Sequence, residues 1–210
     1  MNRTSTAMRS IIGLLSVALA GVLFCGGRNR TAATSAQDRA AEKRGDTARL
    51  AADGQPAATS AVAVIHSAAD RKENISGTVS FTPAEGGVHV VADVSGLTPG
   101  KHGFHIHQSA DLSSPDLKSA GPHFNPGGTK HGGPDSEMHH AGDLGNLVAD
   151  EKGHATLDRV FPGLSVSGEK DGVIGHSVVI HAGEDDLKSD PAGNSGARIA
   201  AGAIEAAPAK

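Results

Sequence analysis

The sequence lacks tryptophan and tyrosine, and its 210 residues include one cysteine and five phenylalanines. A single cysteine excludes a disulfide within the chain. Glycine, by contrast, is abundant at 28 residues. This composition argues against a protein of long helices and favours short elements joined by tight turns.

Charge is divided unevenly along the chain. Residues 1–60 carry 8 Lys/Arg and 4 Asp/Glu, whereas residues 61–210 carry 11 and 19, a balance of −8. An acidic domain argues against nucleic acid as a partner, because phosphate binding needs a basic face. All 12 histidines lie between His66 and His181, which is a first indication of metal chemistry.

Residues 1–25 are predicted to be a signal or targeting segment. Arg3 and Arg9 supply positive charge before an apolar run at 11–24. That run is shorter than the ~20 residues of an ordinary membrane span. Ala18-Leu19-Ala20 has the small-x-small form of a signal-peptidase site. We therefore expect an exported protein, located in a periplasm or outside the cell.

The single cysteine, Cys25, follows the apolar run directly and has the placement of a lipid-acylated cysteine. Phe24 before it is bulkier than that processing normally accepts, so cleavage after Ala20 is favoured over a lipid anchor. An uncleaved anchor is the third alternative. Residues 26–60 are polar with weak apolar periodicity, and they are predicted to be a flexible tether.

Residues 61–210 are predicted to form one all-β domain. Short strand-like runs alternate with turn signals, as in a β-sandwich or barrel. Two long segments rich in Gly, Pro, Asp and His, 108–142 and 182–197, do not fit strands. Loops of that length in a compact domain are usually either functional or disordered. The strand-like runs are 61–66, 74–82, 87–94, 103–107, 145–149, 154–157, 176–181 and 198–203.

The histidines fall into patterns that suit two metal sites. His105 and His107 are spaced i, i+2, so on a strand both point to one face. Four imidazoles suit a tetragonal copper(II) site, and three imidazoles with a carboxylate suit a closed zinc site. The first set is His105, His107, His123 and His181; the second is His123, His131, His140 and Asp143. His123 can serve both, because imidazole has two ring nitrogens.

These residues lie in motifs that resemble the copper/zinc superoxide dismutase family over most of the second part. The motifs are 103–107, 119–126, 131–134, 140–146, His181 with 185–187, and 193–198. The resemblance implies a Greek-key β-barrel or flattened sandwich of about eight antiparallel strands with two long functional loops. It implies the two ligand sets given above, with His123 bridging copper and zinc.

The resemblance also implies an activity. Two superoxide anions and two protons become dioxygen and hydrogen peroxide by redox cycling of copper, while zinc is structural. Arg198 matches the arginine that holds the anionic substrate, and His123 passes a proton. Asp185 matches the aspartate that links a copper-site and a zinc-site histidine. The oligomeric state stays open, with a homodimer as one option.

One feature of the family is missing. Its usual disulfide falls at Leu117 and Ala201, where apolar packing is expected to replace part of its stabilisation. This puts the positioning of Arg198 in doubt and leaves a second hypothesis open, a copper/zinc buffer without turnover. Lysines 101, 130 and 188 are candidates for the rim of the substrate pocket, but ordinary solvated lysines are the favoured interpretation.

Overall fold

Eight strands make up the part of the chain that the computed structural model describes, residues 60–208. A short 3-10 turn, Lys118–Ala120, precedes the fifth strand. No helix in this part is long and apolar enough to cross a membrane. The predicted signal segment, nearly all of the tether and Cys25 lie outside the described residues. The strands are β1 (Ala61–Ser67), β2 (Ser76–Ala84), β3 (Gly87–Ser95), β4 (Gly100–His107), β5 (Asp143–Ala149), β6 (Ala155–Pro162), β7 (Ser177–His181) and β8 (Arg198–Ala206).

The strands form a closed antiparallel barrel in the order β1-β2-β3-β6-β5-β4-β7-β8. β8 pairs with β1 to complete the closure. β3 is hydrogen-bonded to β6 and not to β4, the next strand in the chain. The connection from β3 to β4 therefore crosses to the other side of the barrel, as in a Greek key. The all-β prediction with about eight strands is confirmed.

Side chains along each strand point alternately into the barrel and outward, and the inward ones fill its core. In β3, Val88 and Val90 are buried in the main core, while His89 between them points outward. β6 runs to Pro162, further than the 154–157 predicted, because it pairs with the whole of β3 from Val94 to Gly87. Cross-strand partners thus extend a strand whose own sequence signal ends early.

The two long loops cover the outer face of β4. Segment 108–142 returns along this strand. The Phe124 amide donates a hydrogen bond to the Ile106 carbonyl at 2.8 Å, and the Ile106 amide donates one to the Gly142 carbonyl at 2.8 Å. Segment 182–197 is tied to β5, because Asn146 accepts a hydrogen bond from the Asp185 amide at 2.8 Å and donates to its carbonyl at 3.0 Å.

A small apolar cluster, separate from the main core, joins segment 108–142 to the barrel. It contains Leu117 and Ala201, as the sequence predicts for the disulfide positions of the family. Its other members come from the residue directly after β1, from the 3-10 turn and from β7. The cluster is Ala68, Leu117, Ala120, Val179 and Ala201, with Leu112 packed against it.

Candidate metal centre

β4 presents two histidines on the face away from the core. Phe104 and Ile106 point into the main core, so His105 and His107 point outward, where the long loops bury them. His181 ends the neighbouring strand β7, which pairs with β4. His123 reaches the same place from segment 108–142 through a bridge to His107. The four imidazoles of the first predicted set are thus brought together and buried.

Hydrogen bonds fix which nitrogen of each ring faces its neighbours. Nδ1 of His107 donates to the Gly121 carbonyl at 2.9 Å, and Nδ1 of His181 to the Gly196 carbonyl at 3.1 Å. Their Nε2 atoms then face each other at 3.4 Å. Nε2 of His105 is bound by a carboxylate, which leaves its Nδ1 facing the same space. Such outer contacts hold imidazole ligands in one orientation.

The second predicted set also converges, around Oδ1 of Asp143. The Nδ1 atoms of His123, His131 and His140 lie 2.8, 3.1 and 3.2 Å from that oxygen. Nδ1 of His140 lies 3.4 Å from Nδ1 of His123. The other oxygen of Asp143 accepts from the backbone amides of Gly132 and His140, so the carboxylate is fixed at both ends.

His123 belongs to both groups through its two nitrogens. Nδ1 faces the Asp143 group, while Nε2 is buried with no hydrogen-bond partner in the described chain. Its ring lies beside that of His105, with centroids 4.1 Å apart. One imidazole therefore lies between the two groups and turns one ring nitrogen toward each; it could bind a metal through both nitrogens once deprotonated.

Unpartnered nitrogens indicate that both groups suit metal ions. Buried polar atoms are nearly always hydrogen-bonded, yet Nδ1 of His105, Nε2 of His123 and Nδ1 of His131 have no hydrogen-bond partner within residues 60–208. Nδ1 of His131 is near Asp143 but outside the hydrogen-bonding direction. A tetrahedral zinc ion with bonds of about 2.0–2.1 Å separates its ligand atoms by about 3.3 Å, close to the spacing around Asp143.

The protonation states fit the same interpretation. Burial lowers the pKa of His105 to about 4 and that of His181 to about 3, so both rings are neutral at pH 7. Burial alone would raise the pKa of Asp143, but the hydrogen bond from His123 and the nearby imidazoles outweigh it and lower the pKa to about 2. Neutral imidazoles and an ionised carboxylate are the forms that bind metals.

Asp185 links the two groups through hydrogen bonds to one histidine of each. Its Oδ2 lies 2.7 Å from Nε2 of His105, and its Oδ1 lies 3.0 Å from Nε2 of His131. Oδ1 also accepts from the Leu187 amide at 2.7 Å. Gly193 packs directly on this carboxylate, where a side chain would overlap it. Asp185 thus contacts one histidine of each predicted set.

Arg198 lies at the start of β8, beside the first group. Nη1 donates to the Leu117 carbonyl and Nη2 to the Gly121 carbonyl, each at 2.6 Å. The Gly121 carbonyl also accepts from His107, so one oxygen fixes the arginine and a candidate ligand together. A depression of about 320 Å³ opens at Arg198.

The cations around this depression differ from the lysines considered above. Arg71 and Lys118 line it together with Arg198 and Asp116. Lys101 instead pairs with Glu184 at 2.6 Å on the surface. The sequence offered no signal for Arg71, because only folding brings the connection after β1 beside segment 108–142.

Residues 75–204, more than half of the chain, match the copper/zinc superoxide dismutase family. The chain belongs to the copper/zinc superoxide dismutase family. One relative is an extracellular Cu-Zn superoxide dismutase of Brugia pahangi. It is 42% identical over 153 residues, which cover 69% of this chain and 74% of that protein.

A solved structure, described as the clock protein EA4, is also similar. It has a TM-score of 0.64 and 40% sequence identity, and the match covers 71% of this chain and 96% of that one. Copper/zinc superoxide dismutases are oxidoreductases that use both metals. The predicted family, enzyme class and cofactors are therefore confirmed.

Proposed function

We propose that this superoxide dismutase holds copper between His105, His107, His123 and His181, and zinc between His123, His131, His140 and Asp143. The observation that carries the assignment is His123, whose two ring nitrogens face two different buried ligand groups. A loop histidine of purely structural use would have both ring nitrogens hydrogen-bonded or in solvent, whereas Nε2 of His123 is buried without a hydrogen-bond partner among the described residues.

The chemistry divides between the metals and the chain. Bound copper supplies one-electron redox chemistry, and zinc, which has no redox chemistry, supplies a fixed positive charge. The chain contributes the orientation of the ligands, because His105, His107 and His181 each bind a protein acceptor through one ring nitrogen and turn the other toward the group. The loops exclude water from all six imidazoles, which are buried.

Arg198 is proposed to bind the substrate. Two carbonyls accept hydrogen bonds from its terminal nitrogens, and the remaining N–H groups of the guanidinium have no hydrogen-bond partner among the described residues, so they can bind an anion in the depression that Arg198 lines. Burial lowers the pKa of Arg198 from its usual value, but a guanidinium stays protonated at pH 7. Superoxide, a small anion, fits this cationic pocket.

His123 is proposed to hold the proton that the product needs. Its Nε2 is the buried nitrogen that lacks a hydrogen-bond partner inside the described part of the chain, on the side of His105. When this nitrogen is not bonded to a metal, a neutral imidazole can accept a proton there and release it to a bound oxyanion.

The test is metal content together with dismutation rate. Purified protein is loaded with both metals and compared with His107→Ala and with the control His154→Ala, whose ring is exposed and pairs with Asp93. We expect wild type and control to bind one copper and one zinc and to dismutate superoxide. His107→Ala should keep zinc and lose copper and activity. Metal uptake by the wild type without turnover would instead support the buffer hypothesis.

We further propose that the protein acts outside the cytoplasm. The support is the basic, apolar N-terminal segment with its Ala18-Leu19-Ala20 sequence and the extracellular relative. Intact mass of the mature protein distinguishes cleavage after Ala20 from acylation at Cys25. Sedimentation of the same material distinguishes a monomer from the homodimer.

A further inference from the structure

Leu117 makes two contacts of different kinds. Its side chain is only 5% exposed and packs in the small apolar cluster against β7 and β8. Its carbonyl accepts the hydrogen bond from Nη1 of Arg198. One residue therefore joins the packing of segment 108–142 to the placement of the guanidinium.

The backbone at Leu117 sets the geometry of the turn that follows. Leu117 has φ +59°, in the left-handed region, and the Ala120 amide returns to its carbonyl at 3.2 Å. This 3-10 turn leads directly to Gly121, whose carbonyl accepts from both Arg198 and His107. The turn thus presents two carbonyls, one at each end, to the same arginine.

The attachment of this turn to the barrel is noncovalent. The one cysteine of the chain is Cys25, far from this turn in sequence. Ala201, which packs in the cluster, lies on β8 three residues after Arg198. The turn is therefore held to β8 at two points, an apolar one through its side chain and a polar one through Arg198.

We infer that Leu117 is a positioning residue for the reaction: its buried side chain fixes the 3-10 turn so that two carbonyls aim Arg198 at the copper ligands. The inference rests on the proposed function of Arg198. The attachment of the turn to β8 is then apolar packing and not a disulfide, so the thiol redox state does not affect the position of Arg198.

Truncation of the anchor should separate this role from general stability. Leu117→Ala removes most of the apolar side chain but keeps the backbone carbonyl. The turn can then shift, and misplacement of a binding group by about 1 Å can reduce a rate on the order of 100-fold. We expect kcat/KM for superoxide to fall by about 10- to 100-fold, with copper and zinc content unchanged.

The experiment needs a readout of Arg198 itself. Phenylglyoxal, an arginine-selective reagent, is applied to the metal-loaded enzyme, and modification of Arg198 is followed by peptide mass mapping. Arg159 serves as internal standard. It lies on strand β6, far from Arg198 in the strand order, and forms a salt bridge with Asp135. Modification of Arg198 relative to Arg159 should rise several-fold in Leu117→Ala and return to the wild-type value in Leu117→Met.

The matched control is Leu164→Ala. Leu164 is 4% exposed, nearly the same as Leu117, but it packs in the main core. This variant should lose stability without changing Arg198 modification or kcat/KM. If Leu117→Ala does not yield folded enzyme, Leu112→Ala is used instead, because Leu112 is half-buried and packs against the same cluster. This variant should raise Arg198 modification less strongly.

Two outcomes are distinguishable. Equal Arg198 modification in wild type and in the folded variants of Leu117 or Leu112 overturns the inference, whatever the activity. An inactive wild type whose Arg198 becomes reactive in Leu117→Ala supports the anchor and overturns the proposed function instead.

Discussion

Replacement of Gly193 by alanine should damage both metal sites through one carboxylate. A Cβ at this position would overlap Oδ1 of Asp185 and come within 2.8 Å of Nε2 of His131. Gly193 also has φ +60°, which L side chains rarely adopt. The variant must therefore displace Asp185, the group that orients His105 and His131.

The loss of folding stability in Gly193→Ala follows from the backbone conformation at this position and from the hydrogen bonds that a displaced Asp185 would break. Alanine in the left-handed region costs about 1–2 kcal/mol. Asp185 accepts hydrogen bonds from His105, His131 and Leu187, and each bond to a charged group contributes about 1.5–3 kcal/mol. Breaking two of them brings the total to about 4–8 kcal/mol, a large part of the ~5–15 kcal/mol that stabilises a typical domain.

Gly128→Ala is the matched control. Gly128 has φ +63°, nearly the same backbone conformation, but a Cβ there would meet nothing within 4 Å. It should cost only the backbone contribution of about 1–2 kcal/mol.

The assay is denaturant unfolding of the metal-free proteins, followed by competitive chelator titration of zinc and copper. We expect Gly193→Ala to bind metal about 10- to 100-fold more weakly than the control. Equal unfolding free energies and equal metal affinities in the two variants would refute the role given to the Asp185–Gly193 contact.

Two further predictions concern charge. Arg71→Gln should lower kcat/KM a few-fold at low ionic strength, and the difference from wild type should vanish at high salt, because Arg71 lines the depression at Arg198; Arg159→Gln is the control, and parallel salt profiles for wild type and Arg71→Gln would contradict the effect. Metal-free protein should lose stability as the pH falls from 6.5 to about 4. The folded pKa values of His105 and His181, about 4 and 3, lie below the unfolded value of 6.5, so the unfolded chain binds more protons in this window. Denaturant unfolding across this range checks the sign, and a flat profile would count against buried neutral rings.

The two groups of candidate ligands could be predicted from sequence because their signals are local. An i, i+2 pair on a strand needs only the strand to form, and His140 lies three residues before Asp143, the first residue of β5. Which ring nitrogen faces which group could not be predicted. That choice depends on distant acceptors, such as the Gly196 carbonyl for His181 and Asp185 for His105.

The surroundings of the site escape sequence analysis for the same reason. Arg71 reaches the depression from the β1–β2 connection, and the Gly121 carbonyl meets Arg198 across the sequence. The extent of β6 likewise depends on β3, whose full length supplies its hydrogen-bonding partners. Contacts between residues far apart in sequence leave no periodic signal in either segment.

The most direct test of the shared His123 ligand is anomalous diffraction from crystals of the protein loaded with copper and zinc, recorded at both absorption edges. We expect a copper peak among Nδ1 of His105 and the Nε2 atoms of His107, His123 and His181. We expect a zinc peak among Oδ1 of Asp143 and the Nδ1 atoms of the three surrounding histidines. A single peak, or two peaks that do not share His123, would contradict the bridged pair of sites.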